Sequence, residues 1–159
     1  MKQLIIFFLL VSASNWITIK AQDMDNEKLH SIIYTLSDHM EGTDGQWQFI
    51  IDSTSFLCLT DKLHNRMRII SPIANMSEVT PEQVQRCMEA NFHSALDGRY
   101  AVSDDIMWAA YIHPLKELTK EQVFSAISQV YSCARTFGTV YSSGTLSFPT
   151  KDERKYKSN

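Results

Sequence analysis

The sequence predicts a single α+β domain, in which an antiparallel five-stranded sheet carries helices mainly on one face. Three observations lead to this fold class. Helical apolar stripes recur at three places, five short extended segments lie between them, and the two kinds of element do not alternate as βαβ units. The 159 residues suit one domain. The predicted element order is therefore α-β-β-β-α-β-β-α.

The first helix is predicted to begin at the capping residues Asp25 and Asn26. The run GTDG, residues 42–45, is predicted to end it. Between these signals, one apolar stripe recurs at helical spacing: Leu29, Ile32, Ile33, Leu36 and Met40.

Three strands are predicted to follow, over residues 46–52, 56–60 and 66–73. In the first of them, large apolar residues alternate with polar ones, as in a half-buried strand. Pro72 has no N–H to donate to a ladder, so the third strand is predicted to end there or to lie at an edge.

The other two helices are predicted to begin at Thr-x-x-Gln capping boxes, one at Thr80 and one at Thr119. Gly98 and Gly138 mark their predicted ends. Two apolar stripes follow the boxes: Val84, Cys87, Met88, Phe92 and Ala95 in the first helix, and Val123, Ile127, Val130, Tyr131, Ala134 and Phe137 in the second.

A hairpin is predicted between these helices, with Asp104 and Asp105 at its turn. Its second strand, residues 106–112, is apolar on both faces, so it is predicted to lie in the middle of the sheet. Residues 139–148 are expected to add a short extended segment.

The two ends of the chain differ from the predicted domain. Lys2 followed by the apolar run 4–11 is typical of a signal peptide, and this run is too short to span a membrane. We expect residues 1–21 to be the signal peptide, with cleavage after Ala21 or, alternatively, after Ala13. The protein is then exported, to a periplasm or to the medium. Residues 149–159 are predicted to be a charged, disordered tail.

The segment NFHSALDGRYAVSDDIMWAAYIHPL, followed by ARTFGTVYSSGTLSF, resembles the bacterial YbjN-type domain, which is associated with sensory transduction regulation. The resemblance covers residues 91–148, and the order of elements extends it over residues 26–148. It implies an α+β fold like that of type III secretion chaperones, often dimeric, without established catalytic residues. Residues 22–148 are accordingly predicted to be a YbjN-like domain. This sequence differs from the family's usual cytoplasmic members by carrying an export signal.

A small-ligand or hydrolytic site is the alternative hypothesis. His93 and Asp97 are four residues apart on a predicted helix, and Arg99 follows them. A local helix pair near a helix end explains the same spacing. The five histidines and three cysteines show no metal-binding spacing, so no metal, cofactor or catalytic residue is predicted.

The favoured hypothesis is a non-enzymatic, exported protein-binding or chaperone-like module. The net charge of −3 gives no reason to bind nucleic acid. Helices on one side of a sheet leave its other face uncovered. Ile50, Leu57 and one face of residues 106–112 are too apolar for plain solvation, so a protein segment or a second copy is expected there. A structural role in an envelope assembly is a further alternative. The predicted partner-binding residues are Arg99, Trp108, Tyr111 and Arg135.

Overall fold

A computed structural model describes residues 23–145, so the predicted signal peptide and C-terminal tail lie outside the described residues. The described residues form three α-helices and six strands. In order they are α1 (Asn26–Leu36), β1 (His39–Thr43), β2 (Gln46–Ile51), β3 (Thr54–Asp61), β4 (Arg66–Asn75), a 3-10 turn (Met76–Glu78), α2 (Pro81–His93), β5 (Arg99–Ser103), β6 (Ile106–His113) and α3 (Lys120–Thr136).

The strands form one antiparallel sheet in the order β1-β2-β3-β4-β6-β5. The α+β class is confirmed, as is the interior position of β6 between β4 and β5. The prediction of five strands is wrong, because the structure has a sixth strand, β1, at one edge.

Strand β1 occupies residues that the apolar stripe assigned to the first helix. The helix ends at Leu36 and is capped by Ser37, whose N–H donates to the carbonyl oxygen of Ile33. Three residues of the GTDG run, Gly42, Asp44 and Gly45, adopt positive φ angles, and the last two turn the chain into a hairpin. Met40 then lies opposite Phe49 and packs against the core. Its apolar side chain fits a helical stripe and a strand equally well, so spacing alone does not separate them.

Strand β4 continues through Pro72 to Asn75. Its pairing with β3 begins at Ile70, so Pro72 lies beyond that ladder at a local edge. On the other side, Pro72 lies opposite Trp108, and the register with β6 shifts between Pro72 and Ala74. A residue without an N–H is tolerated at a local edge or a register shift. Of the two predictions for Pro72, the edge position is therefore correct, and the strand does not end there.

The helices pack on one face of this sheet. Both predicted capping boxes are present, at Thr80 with Gln83 and at Thr119 with Gln122. Helix α3 crosses β4 and β6, α1 contacts β1 and β2, and α2 lies beside β5. Helix α2 ends at His93, earlier than the predicted end near Gly98, and Leu96 then turns the chain with a positive φ.

The core lies between the helices and this covered face. The sheet contributes alternate residues that are almost fully buried: Trp47, Phe49, Phe56, Cys58, Met67, Ile69, Tyr100, Met107, Ala109 and Tyr111. The helices contribute Leu29, Ile33, Cys87, Ala90, Val123, Ala126, Ile127, Val130 and Cys133. Residues 139–145 contain no strand; Tyr141 of this segment packs against Tyr100 and Phe137. The rest of the predicted extended segment lies outside the described residues.

Candidate functional site

The other face of the sheet, called here the open face, is the candidate site. Strand pairing aligns its side chains in rows that run across the strands. The middle row crosses all six strands in the spatial order Glu41, Gln48, Leu57, Ile70, Ala110 and Arg99.

Two further rows flank the middle row. The upper row consists of His39, Ile50 and Ser55 on one half of the sheet and Pro72, Trp108 and Ala101 on the other. The lower row consists of Thr43, Gln46, Leu59, Arg68 and Ile112. On the two central strands, β3 and β4, the middle row is apolar throughout, whereas the upper row has Ser55 on β3 and the lower row has Arg68 on β4.

The open face carries apolar residues in contact with solvent. Ile112, in the lower row, is 57% exposed and Ile50, in the upper row, is 36% exposed. Leu57, Leu59 and Ile70 are half-buried, although no helix of the described part of the chain covers them. Their neighbours in the sheet therefore shield only part of each side chain, and the remainder is apolar surface that a partner can cover.

Trp108 borders a depression of about 250 Å³ in the open face. The indole Nε1 donates to the carbonyl oxygen of Ser103 at 3.1 Å, which satisfies its polar atom and fixes the ring. Ile50, Leu57 and Pro72 also line the depression, with His39, Glu41 and Gln48 on its polar side. A shallow apolar recess with a polar border suits an apolar side chain presented by a partner.

Charged residues at the rim of the open face have no ion-pair partner among residues 23–145. The ion pairs in that range lie elsewhere, at Lys28–Asp25, Lys62–Asp44 and His64–Asp61. Arg99 donates through Nη1 to the carbonyl oxygens of Leu96 and Gly98, and Nε and Nη2 donate to no described residue. The Glu41 carboxylate, at the opposite edge of the sheet, likewise makes no hydrogen bond within the described part of the chain.

The four predicted partner-binding residues do not share one surface. Trp108 lies on the open face, and Arg99 lies at its rim. Tyr111 lies on the covered face opposite Ile69 and is only 6% exposed; this burial raises the pKa of its phenol. Arg135 is exposed in the last turn of α3, on the helical side. A binding role for the four residues stays a prediction, but they cannot line a single groove.

The alternative site does not assemble in the structure. His93 is at the end of α2, and its Nδ1 is buried without a hydrogen-bond partner. Asp97 is exposed, and its backbone N–H donates to Oε1 of Gln129. No hydrogen bond or ion pair joins His93, Asp97 and Arg99, and residues 23–145 contain no cluster of side chains that could hold a metal ion. The described residues thus offer no acid–base pair at this position.

Several open-face residues were not among the sequence predictions, namely Leu59, Ile70 and Pro72. The sequence RMRIISPI contains a signal for two of them, because Ile70 and Pro72 both fall on the face opposite to Ile69 in a strand. A second apolar recess, of about 340 Å³, lies on the helical side between Leu36, Ile51, Phe124 and Tyr131. Sequence spacing gave no indication of it, since Leu36 and Tyr131 belong to stripes that predict core packing and Phe124 belongs to no predicted stripe.

Solved structures share this arrangement of helices and strands. SchA, in the structure of the HopA1–SchA chaperone–effector complex, superposes with a TM-score of 0.55 at 12% identity, over 69% of this chain and 88% of the other. SycH, the Yersinia pestis type III secretion chaperone solved with a stable fragment of YscM2, gives a TM-score of 0.52 at 13% identity, over 69% of this chain and 99% of the other. The chain has the fold of type III secretion chaperones.

This likeness confirms the chaperone-like fold that the sequence resemblance implied. No protein-family model matches the sequence, and the curated proteins give no match either. The YbjN-type assignment therefore stays a prediction. Among the described helices, none is long and apolar enough to cross a membrane.

Proposed function

We propose that the protein is an exported, non-enzymatic, chaperone-like module that holds a segment of another protein on its open face. The observation that carries this proposal is the apolar surface of that face, which no helix of residues 23–145 covers, with Ile112 57% and Ile50 36% exposed in the rows that flank its middle. An apolar surface of this extent, bordered by polar residues, is typical of an interaction site.

The structural neighbours support a protein as the ligand. SchA was solved in a chaperone–effector complex, and SycH was solved with a fragment of YscM2. Both therefore hold another protein chain on the same type of scaffold. A sequence identity of 12–13% supports a shared fold and nothing about function. That this chain binds a protein is therefore our inference from the fold and the open face together.

The rim limits the chemistry of the partner segment. The middle row is apolar at Leu57 and Ile70 and ends in a basic residue, Arg99. The lower row adds a second basic residue, Arg68. An extended or helical segment with one apolar side and an acidic flank would fit, with an apolar side chain in the depression beside Trp108.

Site-specific photo-crosslinking tests the proposal. A benzoylphenylalanine introduced at Leu57 samples the open face, and the same group at Met88 is the matched control, since Met88 is 64% exposed on α2. After irradiation of cells that export the protein, we expect a discrete protein adduct from position 57 and little or none from position 88. Replacement of Trp108 by Arg should lower the adduct yield at position 57 at least fivefold.

The localisation is tested in the same cells. We expect the adduct in the periplasmic or secreted fraction. Equal yields at positions 57 and 88, or no protein adduct at either position in correctly folded protein, would contradict the proposed role of the open face. An adduct found only in the cytoplasm would contradict export and leave the binding site in place.

A further inference from the structure

Two apolar recesses lie on opposite faces of the sheet at the same end of strand β2. Ile50 lines the depression beside Trp108 on the open face, called here the Trp108 depression. Ile51 lines the recess of about 340 Å³ on the other face, called here the helical recess. Consecutive residues of a strand point to opposite faces, and their Cα atoms are about 3.8 Å apart. The end of one hairpin therefore separates the two recesses.

The chain passes between the two recesses a second time, just before β1. Leu36 lines the helical recess and His39 lines the Trp108 depression, so the link between them forms part of the ridge that separates the recesses. The β2–β3 turn forms the rest of this ridge. The backbone N–H of Asp52, in that turn, donates to Oδ2 of Asp38 in the link at 3.0 Å. This hydrogen bond joins the two parts of the ridge.

The ridge is acidic. Asp38 and Asp52 are exposed, and neither carboxylate forms an ion pair within residues 23–145. No lysine or arginine of the described range lines either recess, whereas Glu41 adds a third carboxylate beside the Trp108 depression. Carboxylates without a nearby counter-ion favour a cationic group on the partner. A partner that crosses the ridge is therefore expected to present a lysine or an arginine there.

The path over the ridge suits an extended segment. From one recess to the other, around the end of the hairpin, the distance is roughly 15 Å, which about five extended residues span at about 3.3 Å each. An α-helix is about 10 Å wide and straight over this length, so it cannot bend around a two-residue turn.

We infer that the partner segment is extended and has two anchors. One apolar side chain enters the Trp108 depression, a second enters the helical recess, and a basic residue between them lies over Asp38 and Asp52. The inference deepens the proposed function and rests on it. It gives the partner an order of residue types, apolar, basic, apolar, over about six residues. Because one chain carries both anchors, binding of the first raises the local concentration of the second, and the two contacts support each other.

Photo-crosslinking on both faces tests the two contacts. Benzoylphenylalanine is introduced at Phe124, which lines the helical recess, and in a separate variant at Leu57 on the open face. We expect both positions to form an adduct with the same protein. Mass spectrometry should place the two crosslinked sites within about ten residues of each other in the partner, with a lysine or an arginine between them.

Blocking one recess shows whether a single segment makes both contacts. Ser128 is exposed and lines the helical recess, so Ser128→Arg should fill the recess without disturbing the core. We expect this variant to lower the adduct yield at position 57 at least threefold, although the two positions lie on opposite faces. Ser125→Arg, exposed on the same helix but outside the lining, is the matched control and should leave the yield unchanged. Circular dichroism confirms that both variants are folded.

A pair of synthetic peptides tests the acidic ridge. The probe is a fluorescein-labelled peptide that carries a phenylalanine, a lysine and a leucine, in this order, over about six residues, and its counterpart has glutamate in place of the lysine. By fluorescence anisotropy at low salt, the wild type should bind the lysine peptide at least fivefold more tightly. In the double variant Asp38→Asn, Asp52→Asn, this ratio should fall to within about twofold of unity. Asp104→Asn is the matched control and should keep the wild-type ratio, because Asp104 also lies in a hairpin turn with a positive φ and borders neither recess.

The outcomes separate this inference from the proposed function. An adduct at position 57 with none at position 124 would overturn the inference and leave the proposed function standing. Different proteins at the two positions, an adduct of the chain with itself at position 124, or an unchanged yield at position 57 in Ser128→Arg would do the same. So would equal binding of the two peptides by the wild type. The absence of adducts at both positions in folded protein would overturn both.

Discussion

Asp25 shows how far a single residue could be predicted from the sequence. It was expected to cap the first helix, and its carboxylate accepts the backbone N–H of Lys28 at 2.8 Å. This hydrogen bond, aided by the Lys28 ammonium, holds the pKa of the Asp25 carboxyl below its usual range. Local capping chemistry depends only on near neighbours in the chain, which is why the sequence predicts it well.

Substitutions of Asp25 separate the contribution of its capping hydrogen bond from the contribution of its negative charge. At pH 6, we expect Asp25→Ala to lower the free energy of unfolding by about 1 kcal/mol, and Asp25→Asn, which still accepts the N–H, to cost less than about 0.5 kcal/mol. Because the folded pKa lies below the unfolded value of about 3.9, the stabilisation by the charge is present above the unfolded pKa and is lost as pH falls through the folded pKa.

Urea unfolding at pH 6 and pH 3 measures this difference. The wild type should lose more stability in acid than Asp25→Asn does. Other carboxyls with lowered pKa values, such as those of Asp44 and Asp61, are common to both proteins and cancel in the comparison. An equal acid loss in the two proteins would show that the Asp25 charge adds nothing to the cap.

At the scale of the element, the sequence predicted the features that residues near each other in the chain determine. It missed the features that depend on contacts between residues far apart in the chain. The starts of α2 and α3 and the β5–β6 hairpin follow from local motifs and are confirmed. Strand β1 instead depends on pairing with β2, which turns back along it through Asp44 and Gly45. Likewise, the register between paired strands determines which residues line up on the open face. The sequence of a single strand does not reveal that register.

The edge strand β5 depends on a contact that no local pattern indicates. Asn91 of α2 accepts the backbone N–H of Tyr100 at 2.8 Å and donates to its carbonyl oxygen at 3.0 Å. Its side-chain amide therefore takes the place of a neighbouring strand at that point. Blocking an edge in this way reduces pairing with other chains.

Removal of the Asn91 amide should release this edge. We expect Asn91→Ala to lower the free energy of unfolding by about 1–3 kcal/mol, because two partly buried backbone groups lose their partners. Fibril formation followed by thioflavin T should also become faster. Gln85→Ala, an exposed position on the same helix, is the control and should change stability by less than about 0.5 kcal/mol. Unchanged stability and fibril growth in Asn91→Ala would show that the amide contact is not needed.

At the scale of the whole molecule, one core joins all the elements, and the three cysteines report on it. Cys58 lies in β3, Cys87 in α2 and Cys133 in α3, and all three are free and buried. Burial raises the pKa of the Cys58 thiol to about 12 and those of Cys87 and Cys133 to about 11. Since the thiolate is the reactive form, none of them should react in the folded protein at pH 8.

Thiol labelling with Ellman's reagent therefore tests whether the domain unfolds as one unit. Below the urea transition, we expect almost no reaction of the reduced protein; within it, the three thiols should become reactive over the same range of urea, with the same midpoint as the circular dichroism signal. Mass spectrometry of the labelled peptides identifies each cysteine. Labelling of Cys87 at lower urea than Cys58 would show that α2 separates before the sheet, and the core would then consist of two units. A common midpoint would mean that the sheet, α2 and α3 unfold as one cooperative scaffold beneath the open face.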